Sequence, residues 1–362
     1  MASVLHLMPA EPDYQTRTAV CQLTRGQSPA AQVRTVGRGG DFGTPLLATL
    51  KLRREIEPFD LVHAWGGEAL FAAIACGALR PVVFTPTRFP TQQDIRWLRA
   101  VAQVRDLQIV CPTDTMRRRL VRRGVPIECC HLVRPGVEFA RINRRRDDAL
   151  RARLGLGPDD CVLLGAGESL RGANHHATIL TAAVLHVFDP RYKLLMWGRG
   201  PLAQAERAFG SKMLPVNFLA WATDHLGRDV AFERLLAAAD AVLVTADAPV
   251  PVLPIAVCMA AGLPIVAVVT PTVSELLEDR HTALMVGRCT SRVLARRVLD
   301  LQDDPRLVWS ICDMARTEAY EYFAMTRFVD QHRSLYEQLA SGQKVHIPQP
   351  APGAGLRFHA RV

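Results

Sequence analysis

Short apolar runs rich in β-branched residues alternate with stretches of helical periodicity along nearly the whole chain, and the alternation runs through twice. Repeated βα units fold as a parallel sheet covered by helices, because neighbouring parallel strands need a crossover long enough to hold a helix. In the first half, strands are expected at 4–8, 32–36, 60–64, 81–85, 107–111 and 131–133. Helical patterns lie near 16–24, 45–56, 68–77, 94–104 and 114–123, the last stopped by Gly124 in a left-handed turn. The alternation restarts with strands at 161–165, 193–197, 217–219, 241–245, 264–268 and 283–286. Helices fit 173–187, 201–209, 231–238, 254–261, 273–277 and 291–301, and a last pair covers 304–322 and 326–339.

A chain of 362 residues is longer than one hydrophobic core usually serves, so two domains are expected. A hydrophobic share of 49% supplies enough apolar surface to bury both. The charged stretch 138–153 holds no apolar period and is the expected join between them. Beyond Ser341 the run through His346, Pro348, Pro350 and Pro352 also lacks a period and reads as an unstructured tail.

The opening residues Met1 to Pro9 have no basic stretch, and their apolar run is interrupted by His6, so no signal peptide is expected. No segment has the length of a bilayer span. The nine cysteines are scattered and contain no Cys-x-x-Cys pair, which fits reduced core residues of a cytoplasmic protein. Residues 1–150 carry 22 Lys/Arg against 14 Asp/Glu, net +8, whereas the remainder carries 22 against 21, net +1. The basic first half favours an anionic partner such as a membrane surface, with peripheral attachment to its inner face as one expected location. Arginine runs at 117–119, 122–123 and 144–146 are otherwise ordinary solvated faces. They lack the interleaved aromatics of a nucleic-acid platform, so no nucleic acid is expected.

Several motifs fall in register from Pro112 onward. Gly165-Ala166-Gly167-Glu168-Ser169-Leu170-Arg171-Gly172 follows one strand, and Gly198-Arg199-Gly200-Pro201 follows the next. Ala237 to Val244, Cys258-Met259-Ala260-Ala261-Gly262-Leu263-Pro264, Glu275 to Asp279 and Ala283 to Val286 continue the series. In order and spacing this half resembles the nucleotide-sugar domain of retaining GT-B glycosyltransferases of the family 4 type. In the first half, Asp60 to Trp65, Pro81 to Thr85, Thr113 to Pro126 and Val133 to Val137 resemble strands and helices of the same family's acceptor domain.

The resemblance implies an α/β fold of two Rossmann-like domains, each a doubly wound parallel sheet, facing a cleft. It places an acceptor-side domain at 1–140, a nucleotide-sugar domain at 141–325, a crossover helix at 326–340 returning to the first domain, and the tail at 341–362. The implied activity is transfer of a sugar from a nucleoside diphosphate to an acceptor hydroxyl with retention, without metal or cofactor. The implied acceptor is unspecified, lipid-linked or polysaccharide. The implied donor-binding residues are Gly165, Arg171, Gly172, Gly198, Gly200, Val252, Leu253 and Glu275, with Arg171 standing where the family has lysine. On the acceptor side the candidates are Arg88 and His63.

The chain also departs from that pattern. Ala166 stands at the family's arginine, Pro249 and Val257 at its two glutamates, and Thr87 at its histidine. The loop Pro9-Ala10-Glu11-Pro12-Asp13-Tyr14 lacks the paired glycines expected after the first strand. Threonine supplies no base near neutral pH, so no catalytic residue is assigned. The nearest unassigned carboxylates are Glu168 and Asp247.

Each feature has an ordinary alternative. Gly198 and Gly200 suit a strand-to-helix turn whatever the ligand. Thr272-Val273-Ser274-Glu275 fits a capping box, which would make Glu275 a helix cap. His6 and His63 lie in strand patterns, where core or edge places are usual, and His175-His176 has no carboxylate at metal-ligand spacing. Two functions stay open: a glycosyltransferase, or a GT-B-like binding or scaffolding protein that has lost catalysis. A nicotinamide-dependent oxidoreductase fits less well, because Gly165-Ala166-Gly167 is followed by Leu170 where the third glycine belongs.

Overall fold

The computed structural model describes residues 2–27, 30–36, 45–77, 79–143, 145–213 and 218–347, with the backbone alone for 27 and 45–50. The chain separates into two compact units, one running to Gly136 and resuming at Met325, the other spanning Val137–Ala324.

In the first unit the strands are β1 (Val4–Pro9), β2 (Ala31–Val36), β3 (Leu61–Trp65), β4 (Val82–Thr85), β5 (Leu107–Cys111) and β6 (Cys130–Leu132). They pair in parallel in the order β2-β1-β3-β4-β5-β6. The helices are α1 (Tyr14–Gln27), α2 (Pro45–Ile56), α3 (Gly67–Ala75), α4 (Gln92–Val104) and α5 (Asp114–Arg122). Right-handed crossovers put the helices of connections running toward β6 on one face and the helix of the reverse connection on the other. The packing agrees: Leu52, Ala69, Leu98 and Leu120 of α2 to α5 share one core with Leu7, Val62 and Ile109. Strands β3 and β4 are buried at every residue, the continuous apolar type that a sheet covered on both faces requires.

The second unit repeats the plan with β7 (Cys161–Gly165), β8 (Tyr192–Met196), β9 (Leu219–Trp221), β10 (Ala241–Val244), β11 (Ile265–Val268) and β12 (Leu284–Val286). Their order is β12-β11-β10-β7-β8-β9, again all parallel. Its helices are α6 (Asp148–Arg153), α7 (His175–Phe188), α8 (Ala203–Gly210), α9 (Ala222–Leu226), α10 (Phe232–Leu235), α11 (Leu253–Ala261), α12 (Ser291–Asp303) and α13 (Pro305–Phe323). Helix α11 is buried at all nine residues, so it forms the centre of its layer rather than an amphipathic cover. It is stopped by Gly262 at φ 70°, a left-handed cap, and leads into β11.

The chain then returns to the first unit. Helix α14 (Met325–Ala340) places Phe328, Leu335, Tyr336 and Leu339 in a core with Val4, Leu23 and Leu61 on the face covered by α1.

Four expectations need correction. The stretch 138–153 is not featureless: α6 lies in it, and its Leu150 and Arg151 are buried against the second unit. A six-residue helix with three charges is too short to show a period. The helix expected at 231–238 is α10 followed by a 3-10 turn at Leu236–Ala238, and the one at 273–277 is a 3-10 turn at Val273–Glu275. Residues 341–347, read as the start of a tail, include Ile347, which is buried in the α1/α14 core, and His346, which bonds through its backbone to Gln338. Residues 348–362, and Asn217 of the expected strand at 217–219, lie outside the described residues.

Candidate functional site

In an open parallel sheet, ligands bind beyond the carboxyl ends of the strands where the strand order reverses. In the second unit that point lies between β7 and β10, and two loops meet there, 166–174 after β7 and 245–252 after β10. Asp247 N donates to Gly172 O at 3.1 Å, and a Cβ on Gly172 (φ +91°) would stand 2.8 Å from Ala248 Cβ. Thr245 Oγ1 bonds both Ala173 O (3.1 Å) and Asn174 O (3.0 Å), and Thr178 Oγ1 lies 2.7 Å from it. The two loops are thus pinned together by hydroxyl and amide bonds that only close backbone approach allows.

The loop after β8 closes the third side. Ser169 N donates to Arg199 O at 2.7 Å and Leu202 N donates back to Ser169 O at 3.0 Å. Gly198 (φ +83°) and Gly200 (φ +109°) take conformations that L side chains resist, and both lie against neighbouring atoms. Beneath the loops sits a buried polar cluster. Glu206 from α8 accepts from Ser169 Oγ at 2.5 Å, and its same oxygen lies 3.1 Å from His175 Nδ1. His175 Nε2 in turn lies 3.2 Å from Ala166 O. Both ring nitrogens of His175 thus face oxygen atoms of the cluster. Nothing in the sequence motifs marks Glu206; its only local signal is an acidic residue in the first turn of a helix.

Arg171 lies on this loop, exposed, in no ion pair among the described residues. Gly165 is at the end of β7, where a Cβ would collide with Met196 Sδ, so its absence of side chain serves sheet packing. Val252 and Leu253 begin α11 and are both buried at 1%, and Pro254 follows, its ring 3.0 Å from the position of a Cβ on Gly167. Glu275 is buried at 2% in the 3-10 turn. The expected capping box does not form: Thr272 is itself helical, its buried Oγ1 has no partner, and Thr270 Oγ1 accepts from Val273 N at 3.3 Å instead. Arg171, Gly172, Gly198, Gly200, Val252 and Leu253 therefore belong to loops or a helix start at the carboxyl ends of the second sheet's strands. The positions of the two missing glutamates hold Pro249, exposed, and Val257, buried in α11 at 2%.

In the first unit the reversal lies between β1 and β3. The loop after β1 has no glycine; Asp13 caps α1 by accepting from Thr16 N at 2.7 Å. Glycines occur instead after β3, where Gly66 (φ +86°) stands against Thr87, 2.9 Å from its Oγ1 to the glycine's Cβ position. Arg88 is exposed and paired with Asp94 at 3.4 Å. His63 is a core residue: it is fully buried, with Nδ1 2.6 Å from Tyr336 Oη and Nε2 2.8 Å from Thr85 Oγ1. Burial, with His6 and His332 nearby, holds its pKa well below the usual histidine value. No group of three His, Cys, Asp or Glu among the described residues has the geometry of a metal site.

No protein-family profile and no curated protein matches the sequence. The fold does match. Anabaena HepE in complex with UDP and glucose superposes with a TM-score of 0.80 at 18% identity, over 94% of this chain and 100% of that one. Sucrose-phosphate synthase from Thermosynechococcus elongatus gives 0.75 at 14% identity, over 94% and 100%. WaaG, a glycosyltransferase involved in lipopolysaccharide biosynthesis, gives 0.65 at 14% identity, over 90% and 98%. The chain has the GT-B fold, α/β with two six-stranded parallel sheets and flanking helices.

Proposed function

We propose that the chain is a glycosyltransferase that moves a sugar, with retention, from a nucleoside diphosphate to an acceptor hydroxyl, with the diphosphate held at the β7–β10 reversal. The observation that carries this reading is Arg171: an exposed guanidinium with no carboxylate partner among the described residues, on the loop where a doubly wound sheet takes its ligand. As the glycosidic bond breaks, negative charge grows on the departing diphosphate, and a guanidinium fork stabilises that charge where a neutral side chain cannot. HepE, of the same fold, is described with UDP and with UDP-glucose, which makes a uridine diphosphate sugar the first donor to test. No metal or cofactor enters the reading.

An acceptor carried on lipid would bring the chain to an anionic surface. Arg96 and Arg99 on α4, Arg119 and Arg122 on α5, and Arg123 just after it are exposed and stand in no ion pair among the described residues. The segment 92–124 holds eight arginines and three aspartates, so this helical face of the first unit suits such a surface.

A second reading, a GT-B-like binding or scaffolding protein without catalysis, is favoured by one observation. Pro249, exposed in the loop before α11, and Val257, buried within α11, stand where the resemblance implies carboxylates that hold the donor sugar. Calorimetry and thermal shift against UDP, GDP and their common sugars, with hydrolysis of the bound sugar nucleotide, separate the two. Binding with turnover supports the transferase, binding without turnover supports the second reading, and no binding to any of them overturns the donor site.

A further inference from the structure

We infer that Glu206 is a positioning residue for the donor site, acting through Ser169 and His175 to hold the loop that carries Arg171. This rests on the reading of Arg171 as the phosphate-binding residue.

Glu206 is 3% exposed, and its carboxylate turns inward, away from solvent. A carboxylate withdrawn from water is tolerated only where its bonds replace hydration. Here its carboxylate bonds reach one segment: Ser169 Oγ at one end of the Arg171 turn and His175 Nδ1 at the other. The second nitrogen of His175 reaches Ala166 O, at the start of that loop. One acidic side chain, with one imidazole as relay, therefore ties the beginning, middle and end of the span 166–175.

Arg171 and Gly172 lie between the two tied points. The far side of this turn is fixed by Asp247 N on Gly172 O and by the contact of Gly172 with Ala248. The turn after β8 is held to the same place because Ser169 exchanges backbone bonds with Arg199 and Leu202, an approach that only glycine at 200 permits. An exposed arginine on an untied loop would have to be ordered at the moment of binding, and that ordering weakens affinity. The clamp orders the loop beforehand, while Glu206 itself touches no ligand.

The test uses the full chain and UDP as the probe, by calorimetry, with Glu206→Ala, Glu206→Gln, Ser169→Ala, Arg171→Ala and the double variant Glu206→Ala/Arg171→Ala. Glutamine retains an acceptor for Ser169, so Glu206→Gln is expected to stay within about threefold of the parent and Glu206→Ala to weaken UDP about tenfold. If Glu206 acts through Arg171, the double variant binds no more weakly than Arg171→Ala alone. Multiplying losses, or equal loss in Glu206→Gln and Glu206→Ala, would reduce Glu206 to general support of the fold and overturn the inference. Unchanged binding in Glu206→Ala overturns it as well. Should Glu206→Ala not fold, Ser169→Ala, which removes a single hydroxyl, takes its place in the cycle. A parent chain that binds no UDP, GDP or sugar nucleotide overturns the donor-site reading first and the inference with it.

Discussion

Gly200 presses its backbone onto Ser169, so that a Cβ at position 200 would stand 2.7 Å from Ser169 O and 2.8 Å from Ser169 N. Both contacts are to backbone, which cannot swing aside as a flexible side chain can. Gly200→Ala is therefore expected to cost more than about 3 kcal/mol, from steric overlap added to the strain of φ +109°. Gly227, at φ +86° with open space around it, supplies the control: its alanine variant carries the backbone strain alone, about 1–2 kcal/mol. Denaturant unfolding of the two variants checks the difference, and equal losses would show that the contact at Ser169 relaxes.

Arg151 is 1% exposed and donates to Asp240 Oδ1 at 2.7 Å and to Asp160 O at 3.0 Å, while Asp240 Oδ2 accepts from Val162 N at 2.7 Å. Removing the carboxylate strands a buried guanidinium, whereas replacing the arginine with an apolar chain removes the charge with its partner's need. Asp240→Ala is expected to lose about 3 kcal/mol or more, and Arg151→Met less. The reverse ranking in urea melts would show that solvent reaches the guanidinium.

The first unit is expected to be acid-sensitive. Burial pushes His332 down to about 4 and holds His63 well below its usual value. Below pH 6.5 the unfolded chain takes up protons that the native state refuses until near pH 4, so stability is fully present above 6.5 and falls through that window. His332 alone accounts for roughly 3 kcal/mol by pH 4. Unfolding free energy measured from pH 8 to pH 4 checks this, and His332→Leu should flatten the slope below 6.5 whatever it does to stability at pH 7.

The arginines of α4 and α5 predict binding to vesicles that contain anionic phospholipid and none to zwitterionic ones, weakened by salt. Reversing Arg119, Arg122 and Arg123 to glutamate is expected to weaken flotation with anionic vesicles by about a hundredfold or more, at about 1 kcal/mol for each charge removed. Binding of RNA in place of vesicles would reassign the face.

Val257→Glu, which restores a carboxylate that the resemblance implies, is expected to destabilise the second unit before it helps a ligand. Val257 is 2% exposed in a helix buried on all sides, and an unpaired carboxylate there costs several kcal/mol. A melting temperature unchanged by this substitution, with tighter UDP binding, would show that position 257 opens onto the donor.

The sequence by itself determined the two parallel sheets and most of their elements, because the periods that define strands and helices are local. Helix α2 falls at 45–56 and β5 at 107–111 as read, and β7 at 161–165. It also determined which loops hold glycines and Arg171. Short or charged elements escaped it: α6 has six residues and no period, and the cap before Val273 is Thr270 rather than Thr272, a choice set by backbone angles that no residue pattern encodes. The tertiary structure alone decided the partners. Ser169 and Glu206 are 37 residues apart, Arg151 and Asp240 are 89, and His63 and Tyr336 are 273. A buried charge or ring nitrogen must find its acceptor wherever the fold places one, so its meaning appears only when distant strands and helices have been brought together.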